Sequence, residues 1–143
     1  MSSREYPSRP LVGVGVLVKM EGKVLLVKRR YEPDKGLWAL PGGLINLGET
    51  ARNAAIREVY EETGIKISIS RLIDITDKIV LDENGKIRFH FVIIDYEGVP
   101  EGGAIKVSHE VEDVGWFSED ELKRMELSET TRELLVKEGL IKG

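Results

Sequence analysis

Alternating apolar and polar positions predict several strands in the first third of the chain. From Leu11 to Lys19 small and β-branched side chains follow one another, and a Glu-Gly pair separates them from Val24 to Val27. Two such runs joined by a short turn are typical of a β-hairpin. A loop from Tyr31 to Gly36 precedes a third apolar run, Leu37 to Leu40, which ends at Pro-Gly-Gly. Proline and glycine at that point predict the end of the strand.

After Gly48, the spacing of apolar residues changes from that of a strand to that of a helix. Thr50 can cap the helix, the residues from Ala51 to Glu62 have high helix propensity, and Gly64 stands where a left-handed residue ends a helix. We therefore predict one amphipathic helix in the middle of the chain.

The second half of the chain returns to extended patterns. Two runs, Ile65 to Ile69 and Leu72 to Ile79, lead to an Asn-Gly turn, and Lys86 to Tyr96 comes back as a long strand. A glycine-rich loop from Gly98 to Gly103 is predicted to end this hairpin, and Val114 to Phe117 forms a last short strand.

Two short helices close the chain. Ser118 and Glu121 form the sequence of a capping box, and a terminal helix is predicted from Thr130 to Lys137. Strands mixed with a few helices predict an α/β fold, with helices packed on a mixed β-sheet. At 143 residues the chain is expected to be one domain, residues 1–143.

Composition excludes several classes of function. The net charge of -4 provides no broad basic field, so we expect no nucleic-acid polymer as a partner. The absence of cysteine excludes disulfides, thiolate metal sites and cysteine nucleophiles. No apolar run approaches the ~20 residues that span a bilayer, and residues 1–10 have no apolar signal core, so a cytoplasmic protein without a membrane partner is expected.

The most informative segment is an acidic stripe on the predicted central helix. At about 100° per residue, Glu58, Glu61 and Glu62 fall within one face of the helix. Their mutual repulsion would be relieved by a divalent cation, although a solvated acidic face is the ordinary alternative in a Glu-rich chain. Gly42 and Gly43 favour the cation, because a glycine loop brings backbone oxygen close to a ligand.

The same residues resemble the signature of the Nudix hydrolase family. Gly43, Glu49, Arg57-Glu58-Val59, Glu61-Glu62 and Gly64-Ile65 match its fixed positions across residues 43–65. The resemblance continues outside the motif in Leu-Leu-Val-Lys-Arg-Arg, Gly-Leu-Trp-Ala-Leu-Pro-Gly-Gly and Val-Gly-Trp-Phe. It implies the α/β/α sandwich of that family and a hydrolase that cleaves diphosphate bonds with Mg²⁺ or Mn²⁺.

The resemblance also implies roles for individual residues. The metal ligands would be three carboxylates and one backbone carbonyl: Glu58, Glu61, Glu62 and Gly42. Glu49 and Arg57 would pair and brace the loop against the helix. For the general base, Glu58 is the first choice and Glu110, six residues before Trp116, is the second.

Three further residues are candidates for substrate contact, and each has an ordinary alternative. Arg29 could reach a phosphate or be a solvated strand-end charge. Trp38 could stack on a base or belong to the core. His90 could face the cleft or be a satisfied sheet histidine.

The substrate is expected to be a small nucleotide held at one metal-rich cleft. The extended resemblance favours ADP-ribose, cleaved to AMP and ribose 5-phosphate. A proline that marks one ADP-ribose subgroup is absent about 16 residues after the motif, so an ordinary or oxidised nucleoside triphosphate, cleaved with release of pyrophosphate, is the alternative. A Nudix-like module that binds nucleotides without cleaving them is the third. Family members often dimerise, so a homodimer is also considered, but the sequence does not identify the surface.

Overall fold

A computed structural model describes residues 4–143 of the chain. It contains seven strands and three helices in that part of the chain. The strands are β1 Leu11–Met20, β2 Lys23–Arg29, β3 Trp38–Ala39, β4 Gly42–Leu44, β5 Ile65–Leu81, β6 Ile87–Gly103 and β7 Val111–Ser118. The helices are α1 Ala51–Thr63, α2 Glu119–Leu122 and α3 Glu129–Lys137.

The sheet is mixed, as the sequence predicts. Its order is β3-β2-β1-β6-β5, with β4 paired to β1 and β7 paired to β2. The central pair, β1 and β6, is parallel, and the other pairs are antiparallel. The predicted β1–β2 hairpin forms, but only Lys19 and Met20 pair with β2, because β1 then diverges to join β6 and β4.

The strand bounds differ from the prediction in several places, and Gly42–Leu44, where the sequence predicts a glycine loop, forms the short strand β4. β5 is one strand of 17 residues, interrupted only by register shifts, where the sequence predicts two extended runs. β6 continues through the predicted loop to Gly103. Gly98 permits this, because a Cβ there would lie 2.9 Å from Val16 Cγ1. In the predicted strand from Leu37 to Leu40, only Trp38 and Ala39 are extended in the ladder.

Helices cover both faces of the sheet and create two hydrophobic clusters. α1 packs Ala54, Ala55 and Val59 against a face of the sheet that includes Val14 and Val16. On the opposite side, the C-terminal segment packs residues such as Leu122, Leu134 and Leu135 against Leu17 and its neighbours. This arrangement gives an α/β/α sandwich in which α1 is held along the strand that carries the glycine loop.

The caps of α1 fix where its acidic face begins and ends. The Thr50 side chain accepts a hydrogen bond from the Asn53 N–H, and Gly64 is left-handed with φ 80°. A Cβ at Gly64 would lie 2.3 Å from the Ala104 carbonyl oxygen. Glycine is therefore required at this position for two reasons, the left-handed backbone and the lack of space for a side chain. The chain consequently leaves α1 directly into β5.

Among residues 4–143, none of the helices combines the length and the apolar composition that a membrane crossing requires.

Candidate active site

The carboxylates of α1 meet the glycine loop at β4. β4 pairs with β1, and this pairing places Gly43 opposite Val14. The Glu58 side chain occupies the space beside Gly43, where a Cβ would lie 1.3 Å from Glu58 Oε2. The backbone N–H of Gly42 donates to Glu62 Oε1 at 2.9 Å. Glycine is therefore needed at position 43 so that a carboxylate can lie against the strand.

Arg57 ties the acidic face to the preceding loop. Its guanidinium donates to both oxygens of Glu49, Nε to Oε2 at 2.6 Å and Nη2 to Oε1 at 2.9 Å. Nη2 also donates to the Leu44 carbonyl at 3.1 Å, and Nη1 donates to Glu58 at 3.0 Å and to Glu61 at 2.8 Å. The hydrogen bonds from Arg57 to Glu49, together with one from the Asn46 N–H, hold the pKa of Glu49 down to about 2. The geometry is what the predicted bracing role of Glu49 and Arg57 requires.

The environment of two carboxyl groups in the stripe disfavours their charged forms. Burial raises the pKa of Glu58 to about 7, partly offset by the charge of Arg57. Burial raises the pKa of Glu62 to about 8, and the hydrogen bond from the Gly42 N–H opposes that shift. The charge of Glu58 also raises the pKa of Glu62, and the charges of Glu61 and Glu110 raise that of Glu58, because like charges repel. A cation bound here would remove both penalties.

Glu110 stands close enough to act on the same cluster. Its negative charge contributes to the raised pKa values of both Glu58 and Glu62. It lies on the loop before β7, where its own backbone N–H donates to the Ser108 hydroxyl at 3.2 Å. The structure therefore brings this sequence candidate near the α1 carboxylates, from a different element.

Arg30, which follows the candidate Arg29 at the end of β2, also lies near this loop. Its Nη2 donates to the carbonyl of Val111, the residue that follows Glu110, at 3.1 Å. In the described part of the chain its buried Nε has no hydrogen-bond partner. The pair of arginines at the end of β2 was the available signal, but the sequence gives no reason to choose the second over the first.

Arg29 is turned toward protein rather than open solvent. Its Nε donates to the Pro33 carbonyl at 2.6 Å, and burial lowers its pKa while the charge of Glu62 raises it. The Arg29 guanidinium in turn opposes the raised pKa of Glu62. A cationic side chain thus lies within electrostatic reach of the cluster and is anchored by the loop after β2.

Trp38 and His90 lie in other surroundings. Trp38 packs against the hydrophobic cluster on the α3 side of the sheet. Its ring lies 4.8 Å from that of Phe117 in an edge-to-face contact. His90 pairs with Ile79 in the β5–β6 hairpin, four residues or about 13 Å along β6 from Ile94. Neither is brought against the α1 carboxylates by a contact that the structure shows, so their predicted substrate contacts remain proposals.

The residues at this site suit a hard divalent cation by chemistry, although their side chains are not gathered around one. Among residues 4–143, no three Asp, Glu or His side chains converge as a ready ligand set. The reason is visible at Arg57, which engages both Glu58 and Glu61. The donors are nevertheless carboxylate and backbone oxygens, as Mg²⁺ and Mn²⁺ prefer, and Glu58 is held in a cradle that only glycine leaves open. The predicted ligand set therefore fits the cation, provided that the side chains turn toward it.

Comparison with known proteins agrees with this geometry. The model of the NUDIX domain matches residues 9–137. A protein of Methanocaldococcus jannaschii named ADP-ribose pyrophosphatase is 31% identical over 116 residues, which are 81% of this chain and 66% of that protein. An Escherichia coli protein named Nucleoside triphosphatase NudI is 27% identical over 135 residues, covering 87% of this chain and 94% of that protein.

A solved structure gives the same answer at the level of the fold. The MutT NUDIX hydrolase from Burkholderia pseudomallei superimposes with a TM-score of 0.78 at 34% identity, covering 90% of this chain and 97% of that one. The family signature, the braced carboxylates against a glycine loop and the sandwich around them all agree. The chain belongs to the Nudix family of hydrolases.

Proposed function

We propose that this protein is a metal-dependent pyrophosphohydrolase that cleaves a nucleoside diphosphate linked to another moiety. The observation that carries the proposal is the packing of Glu58 and Glu62 against Gly42 and Gly43, with the charge of Glu110 nearby. Buried carboxylates with raised pKa values and only partial compensation destabilise the metal-free fold, so a function must account for them.

Glu58, Glu61, Glu62 and the Gly42 carbonyl would hold the cation. When bound, Mg²⁺ or Mn²⁺ supplies charge neutralisation for the diphosphate and lowers the pKa of the attacking water. Arg57 holds the helix and the loop in register through Glu49 and the Leu44 carbonyl.

Glu58 is the proposed general base and Glu110 the alternative. A general base must lie within reach of the water that it deprotonates, and Glu58 lies against Gly43, beside the other proposed cation ligands. Glu110 lies on a separate loop, between β6 and β7.

ADP-ribose is the proposed substrate, with AMP and ribose 5-phosphate as products. The M. jannaschii relative named ADP-ribose pyrophosphatase supports this choice. A nucleoside triphosphate, ordinary or oxidised and cleaved with release of pyrophosphate, is the second candidate, supported by the E. coli relative named for that activity. The α1 carboxylates would face only the phosphates, so other residues must distinguish the two.

The test is a substrate panel assayed with Mg²⁺ and with Mn²⁺, with products separated by ion-exchange chromatography. We expect equal amounts of AMP and ribose 5-phosphate from ADP-ribose. A dominant pyrophosphate peak from a triphosphate, at far higher kcat/KM, would select the second candidate. Tight binding of nucleotides without turnover across the whole panel would contradict both and leave a binding module.

Mutation of the proposed substrate contacts refines the same assay. Arg29→Ala, Trp38→Ala and His90→Ala are each compared for two substrates rather than one. A residue that reads the base or ribose changes the ratio of the two kcat/KM values, whereas one that only supports the fold lowers both together.

A further inference from the structure

A β-bulge lies at the start of β7, directly after the loop that carries Glu110. Consecutive residues of β2 pair with Asp113 and then with Val111, so Glu112 is an extra residue in the ladder. Val111 and Val114 are both buried in the cluster beneath α1, although they are three residues apart. Residues three apart in a regular strand face opposite sides of the sheet. The bulge therefore changes the direction in which the chain passes from the loop into β7.

Arg30 holds this bulge from the end of β2. Its Nη2 donates to the Val111 carbonyl at 3.1 Å and lies 3.9 Å from Glu112 Oε2. One guanidinium thus contacts the extra residue and the residue before it. Bulges beside active sites commonly redirect a side chain. In this chain the side chain next to the bulge is that of Glu110.

Ser108 restrains the loop on the other side of Glu110. Its hydroxyl accepts from the Glu110 N–H at 3.2 Å, and its carbonyl accepts from the Val111 N–H at 3.4 Å. Both polar backbone groups of Val111 therefore have partners, the N–H in Ser108 and the carbonyl in Arg30. The backbone of Glu110 is held from both directions, while its side chain is exposed.

The exposed side chain of Glu110 acts on the carboxylates of α1. Glu110 lines the same cavity as Glu61. Its charge also contributes to the raised pKa values of Glu58 and Glu62. Because the interaction between charges falls with their separation, the position of this loop determines how strongly Glu110 acts on the cluster.

Arg30 contributes little to stability at this position. Its Nε is buried, and among residues 4–143 it has no hydrogen-bond partner. A buried donor without a partner costs free energy, and a partly exposed ion pair returns little of it. An unbranched apolar side chain would avoid that cost. Holding the loop accounts for an arginine here, whereas stability does not.

We propose that Arg30 is a positioning residue, which holds the Val111 carbonyl and Glu112 so that Glu110 stays directed toward the carboxylates of α1. The inference rests on the proposed function, because it requires that Glu110 act in the chemical step, as the base or through its charge. Arg30 itself contacts neither the substrate nor the cation in this account.

The first test is a double-mutant cycle of Arg30→Met and Glu110→Gln, measured as kcat of the full chain with Mg²⁺. Misplacing a catalytic group by about 1 Å can cost on the order of 100-fold, so Arg30→Met should lower kcat on the order of 10- to 100-fold and leave KM nearly unchanged. In the Glu110→Gln background the same substitution should lower kcat by less than about twofold. Arg30→Lys should recover part of the loss, because an ammonium group can still donate to the Val111 carbonyl.

Arg71→Met is the matched control. Arg71 also joins two segments through its guanidinium, with Nε 2.8 Å from Glu97 Oε1 and Nη2 bonded to Glu138. Its side chain is 48% exposed, against 38% for Arg30. We expect wild-type kcat from Arg71→Met. Arg30→Met should keep Tm within about 3 °C of wild type, so that its loss of kcat is not a loss of folded protein.

The second test does not depend on activity. Hydrogen exchange of the amides at residues 108–112, followed by mass spectrometry, reports how firmly the loop is held. Exchange there should be on the order of 10-fold faster in Arg30→Met than in wild type or in Arg71→Met.

Three results would overturn the proposal. They are unchanged exchange at residues 108–112 in Arg30→Met, losses of kcat that multiply in the cycle, and a Glu110→Gln variant within about twofold of wild type. A rise in KM that persists in the Glu110→Gln background would also overturn it, by assigning Arg30 to substrate binding. Failure of the proposed function is a distinct result: the wild-type chain would cleave no substrate of the panel, and the exchange rates would still decide whether Arg30 holds the loop.

Discussion

Glu62 shows how burial can prepare a carboxyl group for a metal. Its carboxylate accepts one backbone hydrogen bond and is otherwise short of compensation, which is why its pKa rises to about 8. The metal-free protein therefore carries an electrostatic penalty at neutral pH that the occupied site would not. The same residue should affect metal affinity, turnover and stability, in different directions.

We predict that Glu62→Gln lowers kcat on the order of 100-fold or more and weakens Mg²⁺ binding. A ligand worth a few kcal/mol in the transition state accounts for this loss, at about 1.36 kcal/mol for each tenfold. Steady-state kinetics over a range of Mg²⁺ concentrations measure both effects. Glu119→Gln, on the exposed side of α2, is the control. Activity of Glu62→Gln within twofold of wild type would place the site elsewhere.

A second buried carboxyl, Asp95, lies away from the metal site and has a different consequence. It is 5% exposed, accepts a hydrogen bond from Thr76, and burial raises its pKa to about 6. Because the folded pKa exceeds the ordinary value of 3.8, the native state is favoured when Asp95 is protonated. This contribution to stability is full below the unfolded pKa and is lost as the pH rises through about 6.

We therefore predict that Asp95→Asn stabilises the protein at pH 8, by about 1 to 3 kcal/mol, and has little effect at pH 4. Urea unfolding at the two pH values measures the difference. Asp74→Asn provides a matched control, since Asp74 is directly opposite Asp95 and its pKa is lowered by Lys137. That variant should not gain stability at pH 8. Equal effects of Asp95→Asn at both pH values would refute the titration.

At the scale of elements, the site depends on how closely α1 approaches β4. The buried Ala54 and Ala55 keep the helix near the sheet, and Gly43 leaves room for the Glu58 carboxylate. Gly43 is not in the left-handed region, so alanine could adopt its backbone conformation. A substitution at this position therefore tests the space alone.

We predict that Gly43→Ala lowers kcat/KM on the order of 100-fold by displacing the Glu58 side chain. In a Glu58→Ala background the same change should cost little more, because the displaced group is already absent. A double-mutant cycle on kcat/KM measures this coupling. Additive losses in the cycle would show that Gly43 acts through something other than Glu58.

The elements also show what could be read from the sequence. The cap at Thr50, the end of α1 at Gly64 and the stripe of carboxylates follow from local chemistry, and the structure has them where the sequence predicts. The continuous β6 was missed because Gly98 and Pro100 are ordinary loop signals. Its extension depends on the close approach of Gly98 to Val16, a residue that is distant in the sequence.

In the candidate site, too, some features follow from the local sequence and others depend on long-range packing. The pairing of Glu49 with Arg57 was predictable, since family residues at those positions brace the loop. The position of Arg29 against the Pro33 carbonyl was not, because it depends on the path of the loop after β2. Neither was the exposure of Ile75, Ile79 and Leu81, since alternating aliphatic residues in β5 are equally typical of a buried strand.

At the scale of the whole molecule, the proposed cation site would couple metal binding to pH. Carboxyls with pKa values of about 7 and about 8 must lose their protons before they can hold a cation. Without metal, their raised pKa values mean that stability decreases as the pH rises through the same range. A bound metal would reverse that dependence by stabilising the charged forms.

We predict that the dissociation constant for Mg²⁺ falls on the order of 100- to 1,000-fold between pH 6 and pH 8, with release of protons. Calorimetry in buffers of different ionisation enthalpy measures both. Mg²⁺ should also raise Tm more at pH 8 than at pH 6, and EDTA should abolish turnover at either pH. A Mg²⁺ affinity that does not change with pH, or turnover that survives rigorous metal removal, would contradict this account.

The parallel pairing of β1 with β6 has a consequence for how the chain is made. Leu11 pairs with Phe91, so β1 gains this neighbour only after about 80 further residues have been synthesised. Closing so long a loop is entropically costly, and contacts that are distant in sequence slow folding. We expect the nascent chain to hold β1 and β2 as an incomplete ribbon, and the central ladder to close late, after β6 leaves the exit tunnel.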